Sequence, residues 1–247
     1  MKSLLKLTWM ETKLFFREPI GAFFTLVFPL MMLFLFGSIY GNTPSVHFNG
    51  RGTIDISIPA YTAMIIATSG LMSITITMSA YRENGVLRRF KTTPVSPLTI
   101  LVAQVIVVFA MTLLGMLLLV IAGKLVYHVK FEGNWLSVLG GFTLGSLSFF
   151  SLGFILAGLM PSARTAQIVG MVLLYPMLFL SGAGFPRELL PAAIVKVSAF
   201  LPLTYVVNLL RGLWVGEAWG AHLLDIGVLV GMLILGVLVS TKTFRWE

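Results

Sequence analysis

The chain has 247 residues, of which 57% are hydrophobic and 11% are charged. This balance excludes a soluble globular domain of this size, because the polar residues are too few to cover its surface. The formal net charge of +8 does not indicate nucleic-acid binding, because the basic residues lie in short segments between long apolar runs. The lack of cysteine excludes disulfides, thiolate metal sites and a cysteine nucleophile.

Residues 1–18 predict an amphipathic helix. On a helical wheel, four cations fall within a narrow arc and five apolar side chains fall on a separate, wider arc. We expect this helix to lie in the membrane surface, with its rings toward lipid and its cations toward anionic headgroups. A solvated tail is the alternative. Pro19 predicts a break before the next helix. The cations are Lys2, Lys6, Lys13 and Arg17, and the apolar residues are Leu4, Leu5, Trp9, Phe15 and Phe16.

Six apolar runs have the length of about 20 residues that a membrane-spanning helix needs. The predicted spans are residues 20–40, 58–80, 98–122, 135–160, 166–184 and 223–240. With the N-terminus inside, eleven of the seventeen Lys and Arg residues fall in cytoplasmic segments, as the positive-inside rule requires. The sequence therefore predicts an all-α protein of the cell (inner, cytoplasmic) membrane. Residues 1–247 form one transmembrane domain, and both termini are cytoplasmic.

The largest cytoplasmic loop, residues 81–97, reads YRENGVLRRFKTTPVSP. Its polar start and its stop at Thr93 and Pro94 predict a short helix across the cytoplasmic face. Cations at Arg88 and Arg89 are suited to carboxylates on a partner protein, and Leu87 and Phe90 offer apolar anchors. Alternatively, these cations only enforce the membrane topology.

Residues 185–216, between the fifth and sixth spans, are apolar but too interrupted to cross a membrane. We expect two short helices that enter the outer leaflet and turn back, because irregular backbone at membrane depth must be buried in protein or line a cavity. An ordinary outer loop with an interfacial helix is the alternative. The residues assigned to this re-entrant segment are Pro186, Pro202, Thr204, Tyr205 and Arg211.

The interiors of the predicted spans carry no charged residue, so their polarity comes from hydroxyl and amide side chains. Such groups either form hydrogen bonds between packed helices or line a pathway. A transporter driven by ions or protons normally has ionisable groups inside the membrane. The energy source is therefore expected outside this chain. The candidate pathway residues are Ser73, Thr77, Gln167 and Tyr175.

Catalytic and metal-binding signatures are missing from the sequence. There is no glycine-rich loop ending in Lys and Ser or Thr, so the chain is not expected to hydrolyse ATP. Neither a Gly-x-Ser-x-Gly elbow nor a His-Glu-x-x-His motif occurs. His47, His128 and His222 lie far apart in sequence, and no metal site is expected.

The loop after the second span resembles that of permease subunits of type-2 ATP-binding cassette exporters, which runs Glu-Arg-Glu-x-Gly-Thr-Leu, then basic residues, then Thr-Pro. Tyr81 and Val86 depart from this pattern. Two further segments are similar to the family: REP at 17–19 followed by Pro29, and LSGAGFP at 180–186 with LPLTYVVNLLRGLWVG at 201–216. Within the family, the chain looks closest to drug and antibiotic exporters. The matching loop residues are Arg82, Glu83, Gly85, Leu87, Arg89, Thr93 and Pro94.

This resemblance implies a six-span permease whose coupling loop docks on a separate nucleotide-binding ATPase subunit. Two permeases, identical or related, and two ATPases would form the complex in the lipid bilayer. ATP and Mg²⁺ would be bound by the ATPase, and no cofactor by this chain. The expected cargo is hydrophobic or amphiphilic: a drug, antibiotic, lipid or glycan. The expected ATPase-coupling residues are Arg82, Glu83, Gly85, Leu87, Arg88, Arg89, Phe90, Thr93 and Pro94.

Two other classes of function stay open from the residues alone. A passive channel or facilitator would need no partner and would pass cargo without an ATPase. A membrane scaffold would need no pathway, and a lipid-modifying enzyme would need an intramembrane catalytic group that the sequence does not offer.

Overall fold

The computed structural model describes residues 2–45, 48, 50–86, 97–185 and 190–243. Six of the helices in these ranges are long and apolar enough to cross a membrane. This confirms the predicted all-α architecture with six spans. In chain order the helices are α1 (Lys2–Arg17), α2 (Pro19–Tyr40), α3 (Thr53–Glu83), α4 (Pro97–Tyr127), α5 (Trp135–Leu159), α6 (Ala163–Leu180), α7 (Ala192–Ser198), α8 (Pro202–Trp214) and α9 (Leu223–Thr243).

The helix α3 begins earlier than its apolar run predicts, at Thr53 instead of residue 58. Its first turn is capped by polar groups: the Asp55 carboxylate accepts a hydrogen bond from the Gly52 amide at 3.0 Å. The Asn42 side chain also accepts hydrogen bonds from the amides of Ile54 and Asp55. These acceptors satisfy amides that lack a partner within the helix, so a polar turn extends α3.

The centre of the bundle is α3. Within an 18-residue apolar stretch of each span, 83% of the residues are buried in α3, against 28% in α2, 22% in α6 and 17% in α9. The peripheral helices expose large apolar side chains such as Met31, Val172 and Leu235, as expected for surfaces that face lipid.

Close contacts between backbones hold α3 against α5 and α6. A methyl group placed on Gly70 would lie 2.5 Å from the carbonyl oxygen of Phe149, and one on Gly170 would lie 2.6 Å from that of Leu71. Gly153 faces the Gly70 carbonyl equally closely. Small residues at these positions let the helices approach until their backbones touch.

The helices α7 and α8 form a bent pair whose axes differ by 100° at a short break. The break is fixed by two hydroxyls of α8: Thr204 donates to the Ser198 carbonyl and Tyr205 to the Ala199 carbonyl, both at 2.6 Å. Pro202 occupies the first turn of α8, where a missing amide hydrogen costs nothing. Arg211 is half-buried in the last turn of α8, and Pro186 lies outside the described residues. The position of this pair in the outer leaflet stays a prediction.

Candidate functional site

The helix α1 has a buried face that the sequence interpretation did not single out. Leu7, Glu11 and Phe15, each four residues apart, are buried, and Leu7 packs into an apolar cluster with residues of α3, α4 and α5. Lys6, Trp9, Lys13, Phe16 and Arg17 of the predicted interfacial helix lie outside this face and are exposed. Phe15 was expected to face lipid with the other apolar side chains, but it is buried against the bundle. Lys13 Nζ lies 5.1 Å from the centroid of the Trp9 ring, within cation–π range.

Two carboxylates attach the N-terminal segment to α3. Glu11 accepts hydrogen bonds from the Tyr81 hydroxyl at 2.7 Å and 2.8 Å. Glu18, between α1 and α2, accepts one from the Thr77 hydroxyl at 3.2 Å. Burial raises the pKa of both carboxyl groups, and these hydrogen bonds partly oppose the shift because they stabilise the charged form.

A cavity of about 380 Å³ lies beside these carboxylates, between α1, α3 and α4. Ser73 and Thr77, two of the predicted pathway residues, line it, and so does Gln104 of α4. The other two predicted pathway residues, Gln167 and Tyr175, lie on α6 and do not line this cavity. This cavity thus brings together two of the four predicted pathway residues beside Glu11 and Glu18. The role of all four in a pathway stays a prediction.

Arg82 and Glu83, the first charged residues of the predicted coupling loop, bind the turn between α5 and α6. The Arg82 guanidinium donates to the carbonyl of Gly158 at 2.6 Å and also to that of Met160. Glu83 Oε2 accepts a hydrogen bond from the amide of Ala163 at 2.9 Å, at the N-terminus of α6. A carboxylate at this position also interacts favourably with the helix dipole. The end of α3 is therefore tied to the end of α5 and the start of α6.

Gly85 ends this connection. Its φ of 65° lies in the left-handed region, and its amide donates to the Arg82 carbonyl at 3.1 Å. Glycine is favoured here because a left-handed residue closes the helix terminus without a steric penalty from a side chain. The predicted docking residues Leu87, Arg88, Arg89, Phe90, Thr93 and Pro94 lie outside the described residues, so their role stays a prediction.

A second polar network lies at the opposite end of the bundle. His222 hydrogen-bonds Asp225 at 2.9 Å and Glu217 at 3.0 Å, which joins the turn after α8 to α9. The described residues include no group of three or more His, Asp or Glu side chains suited to a metal ion. Polar side chains also line a cavity of about 260 Å³ at this end, among them Asn42, Arg51 and Asp55.

The family model described as ABC-2 type transporter matches residues 2–214. The chain belongs to the ABC-2 type transporter family. The matched region runs from α1 through α8, so it includes the Glu11–Tyr81 link, the Arg82 connection and the α7–α8 pair. The resemblance found in the loop motifs is thereby confirmed, and the chain is a multi-pass membrane protein.

Three curated relatives of this family member are similar over part of its length. Nodulation protein J of Rhizobium leguminosarum bv. viciae is 36% identical over 45% of this chain and 44% of its own. Inner membrane transport permease YhhJ of Escherichia coli (strain K12) is 26% identical over 60% of this chain and 41% of its own. Probable multidrug ABC transporter permease YbhS of Escherichia coli (strain K12) is 23% identical over 64% of this chain and 42% of its own. The chain thus matches less than half the length of each of these relatives.

Proposed function

We propose that this chain is the membrane-spanning subunit of an ATP-driven exporter of the inner membrane. It forms the translocation pathway, hydrolyses no ATP itself, and couples to a separate ATPase subunit that binds ATP and Mg²⁺. The family match over residues 2–214 is the observation that carries this proposal. The working complex contains two permeases and two ATPases.

The names of two relatives support a location in the cell membrane and a class of cargo. One is called an inner membrane transport permease and another a probable multidrug permease. We therefore propose a hydrophobic or amphiphilic cargo, with the drug and antibiotic exporters as the nearest subgroup.

The contacts of Arg82 and Glu83 support a specific route for coupling. Both side chains fasten the start of the coupling loop to the α5–α6 turn, through Gly158 and Ala163. An ATPase that displaces residues 87–91 would therefore move α3, α5 and α6 together, because these helices also touch through their backbones. Docking and transmission then belong to different residues: Arg88 and Arg89 dock, whereas Arg82 and Glu83 transmit.

This division is tested with purified complexes in lipid nanodiscs. We expect Arg89→Glu to reduce recovery of the ATPase on affinity purification. We expect Arg82→Gln to leave recovery unchanged and to lower the rate of ATP hydrolysis per complex. Arg164→Gln is the matched control: it removes the same charge, and Arg164 is exposed in the first turn of α6.

Two results would contradict the proposal. Passage of ethidium through liposomes that contain the purified chain without an ATPase would favour a channel or facilitator. Unchanged ATPase recovery and unchanged hydrolysis in both Arg89→Glu and Arg82→Gln would remove the coupling loop from the mechanism and favour a scaffold.

A further inference from the structure

The cavity between α1, α3 and α4 has the size and composition of a small-molecule site. Its volume of about 380 Å³ falls within the usual range of about 300–1,000 Å³ for such sites. Leu14, Phe15, Ile76 and Val107 supply apolar walls. Polar groups converge on it from the α1 segment, α3 and α4, which is the arrangement that orients a bound ligand.

Two buried side chains beside this cavity have unmet hydrogen-bonding capacity: the Gln104 amide oxygen can only accept, whereas the Ser73 hydroxyl can donate or accept. Ser73 is 1% exposed and Gln104 is 4% exposed. Within the described ranges, Ser73 Oγ and Gln104 Oε1 are buried without any hydrogen-bond partner. The hydroxyls of Tyr81 and Thr77 already donate to Glu11 and Glu18. Because a buried acceptor without a donor is costly, the cavity is suited to a ligand that brings N–H groups.

The two carboxylates of this cavity have no ion-pair partner among the residues that the structure describes. Arg17 also lines the cavity but forms no ion pair with Glu11 or Glu18. Burial raises the pKa of both carboxyl groups, because removal from water disfavours their charged form. A bound cation would offset part of this buried negative charge.

We propose that this cavity binds the primary ammonium group of an amphiphilic organic amine. Glu11 and Glu18 balance its charge, and Gln104 Oε1 accepts one of its N–H groups. The rings of Phe15 and Tyr81 line the cavity and are suited to the cation and to its apolar body. Two sources carry this chemistry: a free amphiphilic amine, and the headgroup of an aminophospholipid such as phosphatidylethanolamine.

Binding of the proposed amine depends only on this chain, whereas its role as exported cargo rests on the proposed function. Binding is therefore measured with the purified chain in phosphatidylcholine nanodiscs, without ATPase or ATP. Failure of binding overturns the site and leaves the exporter proposal intact. Failure of the ATPase experiments above overturns the exporter and leaves the site intact.

The probe is tritiated 2-phenylethylamine, followed by scintillation proximity. We expect Glu11→Gln and Glu18→Gln each to weaken its binding about tenfold or more, because each removes a charge-assisted contact. Gln104→Leu is expected to weaken binding without changing any charge. The matched carboxylate control is Glu132→Gln, because Glu132 is exposed and pairs with Arg51 away from this cavity.

Two unlabelled competitors separate the contributions of charge and of N–H groups. We expect 2-phenylethanol, which is neutral, to compete at least about tenfold less well than 2-phenylethylamine. The trimethylated ammonium analogue keeps the charge but has no N–H group, and we expect it to lie between the two. Equal competition by the alcohol, or unchanged binding in Glu11→Gln, Glu18→Gln and Gln104→Leu, would overturn the proposal.

The lipid composition of the nanodisc identifies the source of the ammonium group. Substituting phosphatidylethanolamine for part of the phosphatidylcholine should reduce probe binding if the lipid headgroup occupies the cavity. Unchanged binding of the probe assigns the site to a free amine.

Discussion

The hydroxyl of Tyr81 lies 2.7 Å from one carboxylate oxygen of Glu11 and 2.8 Å from the other, although the two residues are 70 apart in the chain. This contact joins the N-terminal helix α1 to the end of the central helix α3. The next residue of α3, Arg82, holds the α5–α6 turn. A displacement of α1 and a displacement of the coupling loop would therefore both act on the same segment of α3, at Tyr81 and Arg82.

We expect Tyr81→Phe to destabilise the protein by about 1–3 kcal/mol, because it leaves the buried Glu11 carboxylate without its donor. The measurement is urea unfolding of the purified chain in detergent. Tyr40→Phe is the matched control, since Tyr40 is exposed at the end of α2 and should behave as the unmodified chain. Equal loss of stability in the two variants would show that the Glu11 contact contributes nothing.

Glu11→Gln should raise the apparent melting temperature above neutral pH. Burial raises the pKa of Glu11, so the folded protein there holds a buried anion that the unfolded chain exposes to water. As the pH falls through the raised pKa towards 4.5, the ordinary carboxyl value, the folded form takes up a proton and the gain from Gln should shrink. Glutamine keeps an oxygen to accept from Tyr81.

The pH series is repeated with Glu132→Gln, whose carboxylate is exposed. A gain for Glu11→Gln that stays constant across the pH range would contradict a charge effect and point to packing alone.

Gly153→Ala should disrupt folding or reduce the yield of folded protein, because its methyl group would collide with the Gly70 carbonyl where α5 crosses α3. Gly227→Ala is the control. It lies in α9 with no atom within 4 Å of the added methyl group, and alanine favours a helix by about 1 kcal/mol. The measurement is the monodisperse fraction by size-exclusion chromatography. Indistinguishable profiles would contradict the close approach of α3 and α5.

Thr204→Val should loosen the bend between α7 and α8, because the Ser198 carbonyl loses one of its two donors and keeps only the amide of Leu201. The expected cost is about 0.5–1.5 kcal/mol of unfolding free energy, with faster proteolysis of residues 198–204 as the local readout. Thr143→Val removes an exposed hydroxyl from α5 and should leave proteolysis unchanged. If both variants resist proteolysis equally, the Thr204 hydroxyl does not hold the bend.

Hydrophobic run length was sufficient to predict the six spans, because the membrane imposes one length on every crossing helix. It was insufficient at the start of α3. There the carboxylate of Asp55 and the side-chain amide of Asn42 extend the helix. Asp55 accepts from the amides of Gly52 and Lys130, and Asn42 donates to the carbonyl of Tyr127 at the end of α4. A hydropathy average over a window of residues ends the predicted span at polar residues of this kind, although their hydrogen bonds continue the helix.

The candidate site was predictable only in part. Ser73 and Thr77 stood out as polar residues inside an apolar run, and Arg82, Glu83 and Gly85 stood out by resemblance. Glu11 was not among the residues that the sequence pattern singled out. Its spacing with Leu7 and Phe15, four residues on either side, was the signal that would have placed it on a buried face.

The sequence by itself determined that this protein has six membrane-spanning helices, that a helix break precedes Pro19, and that the chain belongs with transport permeases. These properties follow from local composition and from short motifs. Only the tertiary structure decided that α3 is central, that Glu11 and Glu18 share a cavity with Ser73 and Gln104, and that Arg82 and Glu83 turn inward to the α5–α6 turn. The reason is physical: burial and hydrogen-bond partners depend on which helices pack together, and residues 70 or more apart in the chain supply both halves of each contact.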